Sequence, residues 1–154
     1  MYPTLLVLHS VFRWLVLACL VLSICRAAIG LINDRQFTKT DNSIRHWTAT
    51  AAHIQLTVGI LLYTQSPLVA SFWHHPQTGI YNLNLTFYSI IHLLLMLLSI
   101  VVLTIGSAMA KRKTMDREKF RTMLIWFSIA LVLILIAVPW PFSPLSGRPY
   151  LRTF

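Results

Sequence analysis

The stretch TLLVLHSVFRWLVLACLVLSIC, residues 4–25, decides the fold class. It is long enough to cross a bilayer as a helix, which takes about 20 apolar residues. Three further apolar stretches follow at about 47–65, 83–108 and 123–140. Of the 154 residues, 56% are apolar and only 11% are charged, whereas soluble chains carry about a quarter charged residues. The sequence therefore predicts an all-α integral membrane protein, a single domain over 1–154 with four transmembrane helices.

The placement of basic residues predicts how these helices are oriented. Ten of the 13 Lys and Arg residues lie in the hydrophilic connections after the first and third helices, and the connection after the second carries none. The positive-inside rule places both basic connections in the cytoplasm and both termini on the outer side. We therefore expect a multi-pass protein of the bacterial inner membrane, in contact with the lipid bilayer rather than with nucleic acid.

The connections between the helices are short, which favours an antiparallel up-down bundle. Pro67 is expected to end the second helix. The segment 141–154 is rich in proline and is predicted to be irregular.

Each of the first three apolar stretches contains one histidine: His9, His53 and His92. Imidazole in hydrocarbon needs partners, and neutral imidazole is a common ligand of metals and of haem. At about 1.5 Å per residue, His9 lies roughly 8–10 Å and His92 roughly 10–14 Å below the outer boundary, while His53 lies roughly 16–18 Å below it. Because the first and third helices are diagonal neighbours in such a bundle, we expect a haem or metal between His9 and His92. His53 is expected to support these ligands or to replace one of them.

Helical spacing predicts two polar stripes that face the interior. On the second and the third helix, polar or small residues recur at intervals close to whole helical turns, so that they share one helix face. The members on the second helix are His46, Thr50, His53, Thr57 and Thr64, and those on the third are Ser89, His92, Met96, Ser99 and Gly106. Small and hydroxyl residues there permit close packing or leave room for a flat cofactor, and the alternative is plain hydrogen bonding between helices.

Arg13 lies four residues after His9, on the same face of the first helix. A charge at this depth costs at least about 2.5–3.5 kcal/mol, and none of the four apolar stretches contains an acid. Arg13 is therefore predicted to bind a non-protein anion such as a haem propionate, a quinone oxygen or a lipid phosphate. The alternative is an arginine that bonds to backbone carbonyls beside Trp14.

The four acidic residues all lie in the hydrophilic connections, and they are Asp34, Asp41, Asp116 and Glu118. No acid therefore accompanies the histidines. A hydrolase triad or a paired-carboxylate site cannot be assembled from them. A glycine-rich phosphate loop is absent too, and no catalytic side-chain set is predicted.

The segments LHSVFRWLVL, RHWTATAAHIQLTVGILLY, IGSAMAKRKTMDREKFRTMLIWF and VPWPFSPL resemble short four-helix bacterial membrane proteins labelled cytochrome b. The resemblance spans nearly the whole chain. More loosely, His53, Gln55 and Gly59 are similar to the histidine-helix pattern of haem A synthase-like and b561-like bundles, which pair histidines from different helices. The fourth helix has no histidine here, so the helices supply one bis-histidine site at most. The resemblance implies haem b and electron transfer.

Three hypotheses follow. The first is a b-type cytochrome-like protein that holds one haem between His9 and His92, with Arg13 beside a propionate or a bound quinone, and exchanges electrons with a redox partner. The second is a non-catalytic accessory or scaffold subunit of a larger membrane complex. The third is a metal or solute carrier that uses the three histidines.

Overall fold

The computed structural model describes residues 1–141, and their regular structure is entirely helical. We number the helices α1 to α6, and treat the continuous helix Leu83–Arg112 as one element. Their bounds are α1 Tyr2–Ile32, α2 Lys39–Thr64, α3 Pro67–His74, α4 Pro76–Gly79, α5 Leu83–Arg112 and α6 Asp116–Ala137. The tail predicted to be irregular lies, from residue 142 onward, outside the described residues.

Three of these helices, α1, α5 and α6, are each long and apolar enough to cross a membrane. A fourth span by the same criterion would need α2 and α3 together, and these two are bent by 56° at the break between them. The all-α prediction is confirmed. For the described residues, length and composition support three spans, or four if the bent pair counts as one.

α2 begins at Lys39, eight residues before the predicted start, because a capping box stabilises its first turn. The Thr38 hydroxyl accepts a hydrogen bond from the Asp41 backbone N–H, and the Asp41 carboxylate accepts one from the Thr38 N–H. Both groups would otherwise lack partners at a helix start. Polar residues 39–46 therefore extend the helix beyond its apolar part.

The expected role of Pro67 as the end of the second helix is wrong in detail. α2 already ends at Thr64, and Pro67 is instead the first residue of α3, with the Ser66 hydroxyl accepting from the Val69 N–H. Proline suits the first position of a helix because that N–H has no helical partner. The predicted outer loop is thus largely helical, in α3 and α4.

The four long helices form a ring in which α1 packs against α2 and α6, and α5 packs against α6 and α2. α1 and α5 are therefore diagonal, as the sequence predicts for the first and third helices. Large buried side chains fill the centre of this ring: Leu20, Leu103, Phe120, Met123 and Phe127.

One end of the bundle, which we call the basic end, carries the connections 33–38 and 113–115. There the carboxylate of Asp41 is 1% exposed and accepts hydrogen bonds from Arg26 Nε at 2.9 Å and Nη2 at 2.8 Å. Arg45 reaches across to α5, where its guanidinium donates to the Ser107 carbonyl at 2.9 Å. These bonds join α1, α2 and α5 at the basic end.

Candidate functional site

A cavity of about 180 Å³ lies between the long helices, towards the end opposite the basic end. Its lining is mostly apolar, with Leu68 and Val69 of α3 contributing to it. Side chains with polar groups also line it, among them His9, Arg13, Gln55, Tyr63, Tyr88 and His92. We call this space the histidine cavity. It has the character of a small-molecule or cofactor site, an apolar pocket with a few polar groups.

The imidazoles of His9 and His92 face each other across the diagonal of the bundle. Their ring centroids are 6.4 Å apart and the ring planes are inclined by 72°. A metal–nitrogen bond is about 2.0–2.1 Å and a ring nitrogen lies about 1 Å from its centroid, so two imidazoles that share one ion are roughly 6–6.5 Å apart. The observed separation falls within this range, which is also the range of ordinary contacts between aromatic rings.

His92 is held by a hydrogen bond that also fixes its tautomer. Its Nδ1–H donates to the carbonyl of Ala137 at 2.8 Å, and Ala137 is the last residue of α6. Carbonyls in the last turn of a helix have no helical N–H partner, so this oxygen is available. Nε2 of His92 therefore carries the lone pair. Histidines that bind metals usually donate their other N–H to a carbonyl or carboxylate in this way.

A π-helical turn, Phe87–Ile91, directly precedes His92. The N–H of His92 bonds to the Phe87 carbonyl, five residues back, instead of to the residue four back. Such a turn adds one residue to the helix and changes the rotation of everything beyond it, and π turns are frequent at functional sites. The turn therefore sets the direction from which His92 meets the cavity.

His9 is positioned by α2. Gln55 donates from Nε2 to the His9 carbonyl at 2.9 Å, and Gly59 lies against the ring. A Cβ at position 59 would come to 3.2 Å from His9 Cε1, so the absence of a side chain there makes room for the imidazole. Nδ1 of His9 and Oε1 of Gln55 are buried and have no hydrogen-bond partner among the described residues. Both atoms are therefore available to a ligand.

Arg13 lines the cavity together with the two histidines, one turn further along α1. Its guanidinium carbon lies 5.5 Å from the ring centroid of Trp14, which packs edge-on against Trp140 at 5.9 Å. The sequence predicted that Arg13 shares a face with His9, and the structure places both side chains at the same cavity.

His53 does not join His9 and His92. Its side chain is exposed on the outer surface of the bundle, where Nε2 lies 2.9 Å from the Thr104 hydroxyl. The expectation that His53 supports or replaces the ligands of this site conflicts with this position, because it does not line the cavity. Helix periodicity correctly groups residues on one face, but that face of α2 is turned outward.

The two predicted polar stripes have different outcomes. On α5, Ser89, Ser99 and Gly106 are buried, which is the inward orientation that the spacing predicts. The stripe on α2 is predicted wrongly, since His46, Thr57 and Thr64 are exposed like His53. The inner face of α2 instead presents small residues and Gln55.

Sequence reasoning missed the hydrogen-bonded chain that connects α3, α2 and α5 beside the cavity. Trp73 Nε1–H donates to the Tyr63 hydroxyl at 2.9 Å, and that hydroxyl donates to the Ser89 carbonyl at 3.0 Å. Tyr88, which lines the cavity four residues before His92, was also missed. The spacing of Tyr88 to His92 was the available signal for it.

No group of three or more His, Cys, Asp or Glu side chains that could hold a metal ion occurs within residues 1–141. The imidazoles of His9 and His92 both line the cavity. Comparisons with family models, curated proteins and solved structures find no match to the chain.

Proposed function

We propose that this chain is a multi-pass protein of the bacterial inner membrane that binds one haem b between α1 and α5 and transfers single electrons. The basic end would face the cytoplasm by the positive-inside rule, so the histidine cavity would lie in the outer half of the membrane. His9 and His92 would hold the haem iron. Bound haem would supply the one-electron chemistry, and the residues of the chain would bind and orient it.

The observation that carries this proposal is the pair of imidazoles 6.4 Å apart on diagonal helices. The separation suits a single ion between them, and the tautomer of His92 leaves Nε2 as its ligand atom. The unpartnered Nδ1 of His9, which lies beside Gly59, adds a second buried nitrogen.

The size of the ligand set favours haem over a bare metal ion. A structural metal site in a protein commonly uses four side chains, and only two converge here. Haem brings its own equatorial nitrogens and needs two axial ligands from the protein. The metal-carrier and solute-carrier hypothesis has no third ligand to draw on among the described residues, since His53 lies elsewhere.

The chemistry of the lining suits an apolar ring with anionic groups, and the cavity of about 180 Å³ would have to widen to admit a molecule as large as haem. Most of the cavity lining is aliphatic, and Gly59 leaves the space beside His9 free of a side chain. Arg13, the one cationic side chain among the described residues that line the cavity, would lie beside a propionate or the oxygen of a quinone. A quinol of the membrane and a second redox protein are the partners that such a site would serve.

The proposal is tested by purifying the protein from haem-sufficient cells and measuring haem per chain. We expect about one haem b per chain, lost in His9→Ala and in His92→Ala and retained in His46→Ala, a matched histidine outside the cavity. The same preparation analysed for zinc, copper and iron separates haem from a bare metal. A folded wild-type protein without haem, or with a stoichiometric non-haem metal, would count against the proposal.

A further inference from the structure

A groove at the basic end brings together lysines from three different helices. Lys39 is the first residue of α2, Lys111 lies in the last turn of α5, and Lys119 lies in the first turn of α6. Phe37, in the connection between α1 and α2, and Ala110 of α5 provide apolar surface in the same groove. The described residues that line it include no acid. We call this space the lysine groove.

Two of its three ammonium groups lack an acidic partner. Within residues 1–141, Lys119 Nζ lies 3.1 Å from Oδ1 of Asp116, whereas no ion pair includes Lys39 or Lys111. Both of these lysines are exposed. Like charges gathered in one groove repel each other, and the carboxylate of Asp116 offsets only part of that charge. The lysine groove therefore favours an anion from outside the chain.

Part of the lysine groove is already ordered for such an anion. Lys119 Nζ lies 5.4 Å from the ring centroid of Phe37, and that ring packs against buried Phe120 at 5.0 Å. The amide of Asn42, which also lines the groove, accepts from Arg45 Nη2 through its Oδ1 at 2.9 Å. Its NH₂ group makes no hydrogen bond within residues 1–141 and is a further donor. Groups held in place before binding lose less entropy when a ligand arrives.

The depth of the lysine groove matches the headgroup layer of a bilayer. The apolar part of α2 begins at Trp47, which is 64% exposed and suits the aromatic belt at a membrane interface. Ser43 of the groove lies four residues earlier, about 6 Å further out, and Lys111 lies three residues after the apolar stretch that ends at 108, about 4–5 Å out. The headgroup layer on each side is roughly 5–7 Å thick. Lys39 lies about 12 Å out, and its long side chain can reach back into that layer.

We propose that the lysine groove binds the phosphate of an anionic phospholipid from the leaflet at the basic end. The ammonium groups of Lys39, Lys111 and Lys119 compensate its charge, and Asn42 and Ser43 donate neutral hydrogen bonds. Basic pockets between membrane helices on the cytoplasmic side are suited to such headgroups. A lipid is favoured over a free phosphate because its acyl chains hold it in the bilayer beside the groove, at high local concentration.

This inference depends on the proposed membrane placement and is independent of the proposed cofactor. The lysine groove and the histidine cavity lie towards opposite ends of the bundle and share no lining residue. Variants of the groove should therefore keep the haem content of the wild type, so the failure of one proposal leaves the other standing.

Native mass spectrometry of the purified chain in detergent, titrated with phosphatidylglycerol, measures the binding without any variant. We expect one tightly bound phosphatidylglycerol per chain, preferred about tenfold or more over zwitterionic phosphatidylcholine. Inorganic phosphate at millimolar concentration should leave the lipid in place. Equal affinity for the two lipids, or displacement by inorganic phosphate, would overturn the proposal.

Charge-matched variants then locate the binding. A lysine near an anionic headgroup contributes about fivefold in affinity, so replacing all three groove lysines should weaken phosphatidylglycerol binding about a hundredfold. The control triple removes the same charge from the same end but outside the groove, and should weaken binding less than about fivefold. The groove triple is Lys39→Gln, Lys111→Gln, Lys119→Gln, and the control triple is Lys113→Gln, Arg117→Gln, Arg121→Gln. Circular dichroism checks that both fold, and equal losses in the two would show diffuse attraction and contradict a defined site.

Discussion

Replacing Gly59 should disturb the histidine cavity in proportion to the size of the new side chain. In the structure a Cβ at this position would lie 3.2 Å from Cε1 of His9, whereas carbon atoms pack at about 3.5–4.0 Å. Alanine therefore requires the imidazole to move by about 0.3 Å, slightly more than the tolerance of about 0.2 Å on a metal–ligand bond. A leucine adds three further carbons, and no small ring movement accommodates them.

We expect Gly59→Ala to weaken haem binding about ten- to a hundredfold, the usual effect of altering the support of a metal ligand. Gly59→Leu should abolish stoichiometric binding. The assay is a spectrophotometric titration of the haem-free protein with haem, with helical content checked by circular dichroism. Ala108→Leu is the control, because a leucine there adds its bulk on an exposed face of α5. A folded Gly59→Leu protein that binds haem as tightly as the wild type would refute the steric reasoning.

Three further outcomes follow from the structure. Asp41→Asn should lower the free energy of unfolding in a detergent titration by about 2–3 kcal/mol. This is less than the roughly 3–5 kcal/mol for breaking a fully buried ion pair, because the side chain of Arg26 is 31% exposed. Asp116→Asn, at an exposed ion pair, is the control and should cost under about 1 kcal/mol. Gly106→Ala should cost about 1–3 kcal/mol in the same titration, since its Cβ would overlap Cβ of Trp126, and an unchanged midpoint would contradict that contact. His53→Leu should leave the haem absorption spectrum unchanged, and loss of the Soret band would return His53 to the site.

Hydropathy was sufficient to predict the long helices because an apolar stretch of about 20 residues is long enough to span a bilayer as a helix. It could not give their ends. α2 begins early because Thr38 and Asp41 form a capping box, a short-range polar signal that hydropathy ignores. The π turn before His92 leaves no trace in composition, since one extra residue changes the helix rotation without changing its polarity.

The pairing of His9 with His92 could be predicted because depth in a membrane follows from residue count along a straight helix. The position of His53 could not, since a helical period identifies residues that share a face without showing which way that face points. Polarity suggested the interior. The face with His53 is turned outward instead, because Ala52 and Gly59 on the other side of α2 let this helix approach α1 closely.

The most direct test of the central claim, that His9 and His92 together ligate one haem, is the low-temperature EPR spectrum of the oxidised purified protein. Two imidazole ligands keep ferric haem low-spin, so we expect a low-spin ferric signal. A high-spin ferric signal, or a folded protein with no haem signal at all, would show that these two imidazoles do not form the site described.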